Sequence, residues 1–171
     1  GITQNPPLVF TFDYWDLWGP VWNEFTGPDL TKATKLANMR DPAIREKLRS
    51  TPLKYMFIAG VNEAKIVETF TPDQQRWVGK SIQEIADATG KHVVDTLCDI
   101  VVADDLRTIF SAAQFDINMD GLRQLIGNPF VIPGLSDGGA HLKYLAAGSY
   151  GTEFISRYVR DTPLTTLEEA H

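Results

Sequence analysis

Two short apolar runs with strand-like composition lie far apart in this sequence, and their separation restricts the folds open to the chain. One run occupies residues 8–12, and the other, residues 130–134, follows more than a hundred residues later. A strand-helix-strand crossover usually takes about thirty residues. If both runs belong to one sheet, residues 19–115 therefore form an insertion. Insertions of this kind are common on the strand-to-helix loops of barrels whose active sites lie at the C-terminal face.

Start and stop signals for helices divide the region between the two runs. Asp41 followed by Pro42 predicts an N-cap and first residue of a helix through Arg49. Ser81 and Glu84 have the spacing of a capping box, and Gly90 suits a left-handed helix end. The other predicted elements are helices at residues 30–39, 92–106, 120–126 and 152–159 and short strands at residues 55–59, 65–70 and 107–112.

An aromatic cluster follows the first apolar run. Trp15, Trp18 and Trp22 recur at helical spacing, but Gly19 and Pro20 interrupt any single helix, which predicts a loop or a broken helix. Together with Phe25 these side chains could wall a pocket for an acyl chain, or they could form core. We favour the core, because aromatic stripes are more often core than ligand pockets.

Composition excludes some classes of partner. The formal charge is -6, so the chain has no excess of basic residues with which to bind nucleic acid. No apolar stretch approaches the ~20 residues of a membrane helix. The single cysteine, Cys98, cannot form an internal disulfide, and it lies with His92 at a predicted amphipathic helix, where we interpret both residues as structural. We expect a cytoplasmic protein that does not span a membrane.

The two ends of the sequence predict a fragment of a longer polypeptide. The chain begins at Gly1 without an initiator methionine and reaches a strand-like run almost at once. Near the other end, Thr165 and Glu168 have the form of a capping box, yet the chain stops at His171. The rest of the same polypeptide is therefore an expected partner, and a functional site could be only partly present.

The residues most suggestive of chemistry follow the second apolar run. Ser136, Asp137, Gly138 and Gly139 would place a carboxylate at the C-terminal end of a strand, beside glycines that let the backbone approach a ligand closely. Such a carboxylate can accept a proton from a metal-bound water or be a metal ligand itself. These residue types also commonly just turn the chain, and spacing alone favours that interpretation.

A family resemblance gives this motif more weight. Residues 132–141, 151–161 and 164–170 resemble, in order and spacing, the last-strand region of amidohydrolases of the N-acyl-D-amino-acid deacylase (D-aminoacylase) type. Residues 79–86 and 95–99 resemble the segment that these enzymes insert before the final strand.

The fold that this resemblance implies is α/β. It is the C-terminal part of a distorted (β/α)8 barrel of a metal-dependent hydrolase, with a small inserted α+β subdomain. Residues 1–18 would form a barrel strand and its following loop, residues 19–115 the insertion, and residues 116–171 the last barrel strand and truncated helices.

The resemblance also implies an enzyme that hydrolyses carbon-nitrogen bonds other than peptide bonds. One or two divalent metals, usually zinc, would activate water, and Asp137 would act as general acid/base and candidate metal ligand. The substrate would be an N-acyl amino acid or a related amide. The family's other ligands, including a His-x-His pair, have no counterpart among the three histidines of this chain. We therefore expect the fragment to be inactive alone.

His141 and Lys143, shortly after the aspartate, are candidate substrate-binding residues. The alternative for each is a polar surface side chain without a functional role. Two other functions stay open: an amidohydrolase that acts on a cyclic amide, since many substrates share this fold, and a non-catalytic ligand-binding module. A homo-oligomer is also left open.

Overall fold

A computed structural model describes residues 9–12, 19–52, 60–111, 118–131 and 150–170. The chain divides into two compact units. The first is Leu8–Ala113, and the second comprises Gly1–Pro7 and Gln114–His171. We describe each unit by itself.

The first unit contains a small antiparallel sheet. Its strands are β1 (Val9–Thr11), β2 (Lys65–Glu68) and β3 (Ile109–Ser111), in the spatial order β1-β3-β2. Phe110 lies opposite both Phe10 and Ile66, and all three side chains are buried. The rings of Phe10 and Phe110 stack with their centroids 5.9 Å apart. Strand β1 is thus paired within the unit that holds most of the predicted insertion.

Five α-helices and one 3-10 helix accompany this sheet in the described part of the first unit. They are α1 (Pro20–Thr26), α2 (Lys32–Arg40), α3 (Pro42–Arg49), the 3-10 helix Pro72–Trp77, α4 (Ile82–Thr89) and α5 (Val93–Ala103).

The predicted helix boundaries are largely confirmed. Asp41 Oδ1 accepts a hydrogen bond from the backbone N–H of Ala43 at 2.8 Å, which caps α3. In the capping box of α4, Ser81 accepts from the Glu84 N–H at 3.1 Å while Glu84 accepts from the Ser81 N–H at 2.7 Å. Gly90 ends this helix with φ of 66°.

Helix α5 ends earlier than the predicted Leu106. Asp105 and Leu106 have φ values of 57° and 61°, which lie outside the range of a right-handed helix. Leu106 is nevertheless buried, so the turn directs its side chain into the core. The predicted helix thus included three residues, 104–106, that form a turn in the structure.

The core of the first unit surrounds α5, which packs against α2, α3 and α4. The amphipathic pattern predicted for this helix is confirmed, since five apolar residues that recur at three- and four-residue steps are all buried: Val93, Val94, Leu97, Ile100 and Val101. Each fully buried side chain of this size stabilises the fold by about 2 kcal/mol. Helix α5 is therefore the central element of the unit.

The second unit is helical in its described part. It contains α6 (Met119–Ile126), α7 (Tyr150–Phe154), a π-helix at Ile155–Asp161 that continues α7, and α8 (Leu167–Ala170). Leu122, Phe154 and Tyr158 form a small buried cluster between these helices. The predicted helices at residues 120–126 and 152–159 are confirmed, with the second partly in the π form.

Two predictions in the second unit are wrong in detail. The capping box joins Thr166 and Glu169, not Thr165 and Glu168: Thr166 Oγ1 accepts from the Glu169 N–H, and Glu169 accepts from the Thr166 N–H. Helix α8 begins accordingly at Leu167. The sequence has two adjacent threonines and two adjacent glutamates, so both pairs, Thr165 with Glu168 and Thr166 with Glu169, have the spacing of a capping box.

The strand predicted from Phe130 onward does not begin there. Asn128 Oδ1 accepts a hydrogen bond from the Phe130 N–H at 2.9 Å, and Asn128 O accepts from the Val131 N–H at 3.0 Å. This turn, favoured by Asn128 and Pro129, leaves Phe130 93% exposed. The remainder of the predicted strand, residues 132–134, lies outside the described residues, as does the predicted strand at 55–59.

Neither sheet pairing nor helix order in the described residues tests whether the chain is part of a (β/α)8 barrel, and that fold stays a prediction. In the ranges that the structure describes, no helix is both long enough and apolar enough to cross a membrane.

Candidate functional site

An open groove in the first unit combines charged, aromatic and apolar side chains. It lies between the 3-10 helix, α4 and α5 and has a volume of about 120 Å³. Nine residues line it: Gln74, Arg76, Trp77, Ile85, Thr89, Lys91, Thr96, Asp99 and Ile100. Of these, Ile85, Thr96 and Ile100 are buried and form its floor.

The charges at one side of the groove belong to a network between α3 and α5. Asp99 accepts a hydrogen bond from Lys91 at 2.6 Å and another from Arg45 at 2.8 Å. Asp95 lies one helical turn earlier and pairs with Arg49 through two hydrogen bonds of 2.9 Å. Burial alone would raise the pKa of Asp99, but the hydrogen bonds from Lys91 and Arg45 outweigh it and the pKa is lowered. Asp99 is therefore a carboxylate with its charge compensated by two cations.

Arg76, at the edge of the groove, contacts an aromatic ring, whereas Asp99 takes part in a network of ion pairs. Its guanidinium lies over the ring of Trp77, 4.6 Å from the ring centroid. Within the part of the chain that the structure describes, Arg76 forms no ion pair with a carboxylate. The arginine is thus positioned by a cation-π contact, while its hydrogen-bond donors stay available.

The three residues predicted to carry chemistry cannot be placed relative to one another. Asp137, His141 and Lys143 all lie outside the described residues. The roles of Asp137 as general acid/base and metal ligand, and of His141 and Lys143 as substrate-binding residues, stay predictions.

The described residues also do not fit a metal ion. Across residues 9–12, 19–52, 60–111, 118–131 and 150–170, no three or more histidine, cysteine, aspartate or glutamate side chains converge on one point. Structural and catalytic zinc sites use three or four such ligands. A zinc site would therefore depend on ligands outside this set.

The aromatic cluster is core where it is described. Trp22 is 1% exposed, meets Phe12 edge to face with centroids 6.1 Å apart, and donates from Nε1 to Thr51 Oγ1 at 3.3 Å. Phe25 packs against the same core and carries Lys47 over its ring. For these two residues the preference for core over an acyl pocket is confirmed, whereas Trp15 and Trp18 lie outside the described residues.

His92 and Cys98 have the structural roles expected of them. His92 is the N-cap of α5, and its Nδ1 accepts a hydrogen bond from the Val94 N–H at 3.2 Å. Cys98 is fully buried with its Sγ 3.7 Å from Met39 Sδ. Burial raises the pKa of the Cys98 thiol to about 12, so it is protonated and unreactive at neutral pH.

The groove itself was not predicted from the sequence. Its charged residues come from the 3-10 helix, from the turn before α5 and from α5, and no local motif joins Arg76, Lys91 and Asp99. The one local signal was the adjacent pair Arg76 and Trp77, a combination common on protein surfaces.

Comparisons with known proteins give distant relatives without an assigned activity. The chain is 32% identical over 115 residues to the uncharacterized proteins Mb2937c of Mycobacterium bovis and Rv2913c of Mycobacterium tuberculosis. The alignment covers 64% of this chain and 18% of each relative, so the chain matches less than a fifth of their length. No protein-family model matches the chain. No solved structure matches it either.

Proposed function

We propose that this chain is part of a metal-dependent hydrolase that cleaves amide carbon-nitrogen bonds, of the N-acyl-D-amino-acid deacylase type. The substrate is an N-acyl amino acid or a related amide. Asp137 acts as the general acid/base, and His141 and Lys143 contact the substrate. The enzyme is cytoplasmic, in keeping with its single, buried cysteine.

One observation carries this proposal: the motif of residues 135–141 together with the elements that follow it. Here α7 with its π-helical continuation spans Tyr150–Asp161, and α8 follows with the Thr166–Glu169 capping box. These helices cover the segments after the motif that carry the sequence resemblance, residues 151–161 and 164–170.

A carboxylate at the end of a barrel strand suits the reaction for a simple reason. Amide hydrolysis needs one group that removes a proton from the attacking water and returns a proton to the departing nitrogen. An ionised aspartate can perform both transfers. The metal, when bound, would supply an activated water and polarise the carbonyl, through ligands outside the described residues.

The proposal concerns a site completed by a longer polypeptide. The relatives extend far beyond the matched 115 residues, which is 18% of their length. A longer chain has room for the histidine ligands that the resemblance implies.

The test compares the full-length polypeptide with its Asp137→Asn variant. We expect zinc in the purified wild-type protein and hydrolysis of N-acetyl-D-amino acids, with turnover reduced at least about 100-fold by Asp137→Asn. The matched control is Asp120→Asn, because Asp120 is an exposed aspartate in the first turn of α6 that pairs with the exposed Arg123. Unchanged turnover in Asp137→Asn would reject the proton-transfer role.

The substrate class is tested with the same protein. N-acetyl-D-amino acids, their L enantiomers and a cyclic amide such as dihydrouracil are compared as substrates. Hydrolysis of the cyclic amide alone would replace the deacylase with a cyclic amidohydrolase, and absence of both metal and turnover would refute the enzyme proposal.

A further inference from the structure

The groove between the 3-10 helix, α4 and α5 has the features of a small-molecule site, and no known role explains it. Its volume, about 120 Å³, is several times the roughly 10–15 Å³ that a cavity needs to hold one water molecule. The groove is therefore large enough for a molecule of four or five heavy atoms.

The charged side chains that line the groove determine which sign of charge a ligand should carry. Two cations, Arg76 and Lys91, and one carboxylate, Asp99, line the groove, which leaves one positive charge in excess. Asp99 is also bound by Arg45 from α3. Since Lys91 and Arg45 compensate its charge, Asp99 repels an incoming anion less than an isolated carboxylate would. A monoanion is the ligand that balances the remaining charge.

The geometry of the hydrogen-bond donors of Arg76 indicates which kind of anion would bind. A guanidinium presents parallel N–H groups in a planar fork that matches the two oxygens of a carboxylate. The Trp77 ring holds this fork 4.6 Å from its centroid, and no carboxylate among the described residues occupies it. The side chain is thus partly ordered before a ligand arrives, which lowers the entropy cost of binding.

The floor of the groove suits an apolar group. Ile85 and Ile100 are 2% and 3% exposed, and the ring of Trp77 stands beside them. The hydroxyls of Thr89 and Thr96 donate to backbone carbonyls of Ile85 and His92 at 2.8 and 3.1 Å. Because these hydroxyl protons are already used, the floor offers methyl groups and weak acceptors rather than donors to a ligand.

From this combination we propose that the groove binds a short aliphatic monocarboxylate of the size of acetate or propionate. The carboxylate pairs with the Arg76 guanidinium and the Lys91 ammonium, and the methyl or ethyl group rests on Ile85, Ile100 and Trp77. The site lies in the first unit and uses none of the residues assigned to amide hydrolysis, so it stands or falls independently of the proposed function.

Titration calorimetry of the 171-residue chain with sodium propionate tests the proposal, with ionic strength held constant by sodium chloride. We expect saturable binding with a Kd of about 1 mM, as befits five heavy atoms. Propionamide, which has nearly the same shape but no charge, should bind at least about tenfold more weakly. Equal binding of the two compounds would overturn the proposal. Absence of propionate binding at concentrations up to about 50 mM, fifty times the expected Kd, would overturn it as well.

Two variants locate the site. Arg76→Gln removes the fork from an exposed position and should weaken propionate binding about tenfold while leaving the thermal unfolding midpoint unchanged. Arg123→Gln is the matched control, because Arg123 is an exposed arginine of the second unit, and it should bind as the wild type does. If Arg76→Gln and Arg123→Gln bind propionate equally, the groove is not the site.

Discussion

At the scale of single residues, the buried polar groups show which positions the fold depends on. Asp104 is fully buried at the end of α5. Its Oδ1 accepts from the Phe70 N–H at 2.8 Å, and its Oδ2 accepts from the Thr108 hydroxyl at 2.8 Å. This one carboxylate therefore joins the end of α5 to the segment after β2 and to the start of β3.

Replacing Asp104 with alanine should destabilise the protein by about 3 kcal/mol, because the partly buried Phe70 N–H and the buried Thr108 hydroxyl both lose their acceptor. Urea unfolding followed by circular dichroism measures the change. Asp73→Ala is the control, since Asp73 is exposed in the 3-10 helix, and it should cost less than about 0.5 kcal/mol. Equal stability of the two variants would show that Asp104 is not a structural link.

Cys98 provides a second prediction at this scale. A rise of the thiol pKa from 9.0 to about 12 lowers the thiolate fraction at pH 8 by about a thousandfold. Native protein should therefore resist alkylation by iodoacetamide at pH 8 and react fully in 8 M urea, which mass spectrometry follows. Rapid labelling of the native chain would contradict the buried position of Cys98.

At the scale of elements, hydrogen bonds of side chains to the backbone decide where helices begin. The capping box of α4 and that of α8 have the same pattern, with glutamate accepting from the backbone N–H of the capping residue. Hydrogen bonding to the backbone N–H of Ser81 lowers the pKa of Glu84, and that to the N–H of Thr166 lowers the pKa of Glu169. Both helices thus depend on an ionised carboxylate.

Ser81→Ala should destabilise the first unit by about 1 kcal/mol, because the Glu84 N–H loses its acceptor at the start of α4. Chemical denaturation monitored by circular dichroism checks the value. Ser81→Asp retains a hydrogen-bond acceptor at the N-cap, so it should recover most of the stability that Ser81→Ala loses. If it does not, Ser81 does not stabilise α4 as an N-cap.

The pH dependence of stability follows from the lowered pKa of Glu84. Its contribution is complete above the ordinary value of 4.5 and is lost as the pH falls through the lower folded-state pKa. Glu84→Gln keeps the capping geometry but cannot ionise, so its stability difference from wild type should shrink as pH falls below 4.5. Unfolding titrations between pH 3 and 7 measure this, with Glu168→Gln, an exposed glutamate of α8, as the control. A difference that stays constant with pH would exclude this linkage.

At the scale of the whole molecule, burial is distributed unevenly between the two units. The larger cluster of buried apolar residues runs from Phe10 to Phe110, entirely within the first unit. The cluster described in the second unit consists of Leu122, Phe154 and Tyr158 with a few partly buried neighbours. The hydroxyl of Tyr158 is buried there without a hydrogen-bond partner in the described residues.

A polypeptide of residues 8–113 should therefore unfold cooperatively on its own, because it retains the whole of the larger core. A polypeptide of residues 114–171 should unfold less cooperatively, since the buried cluster described in it consists of only Leu122, Phe154 and Tyr158 with a few partly buried neighbours. Thermal unfolding by circular dichroism and calorimetry distinguishes the two. A non-cooperative transition for residues 8–113 would contradict the division into two units.

Local patterns in the sequence were sufficient for most helices. Asp41 with Pro42, Ser81 with Glu84, and Gly90 act through hydrogen bonds or dihedral angles within a few residues, so their effect is visible in the chain itself. The apolar period of α5 likewise predicted its buried face, because a helix repeats every 3.6 residues. The error at Phe130 arose where Asn128 and Pro129 formed a turn ahead of an apolar run.

By itself, the sequence determined the starts of α3 and α4, the buried face of α5 and the structural role of His92 at the start of α5, because these depend on neighbours in the chain. Only the tertiary structure decided that β1 pairs with β3, that Asp104 joins three segments, and that Arg76, Lys91 and Asp99 line one groove. Such contacts join residues far apart in the chain, and no local pattern encodes them.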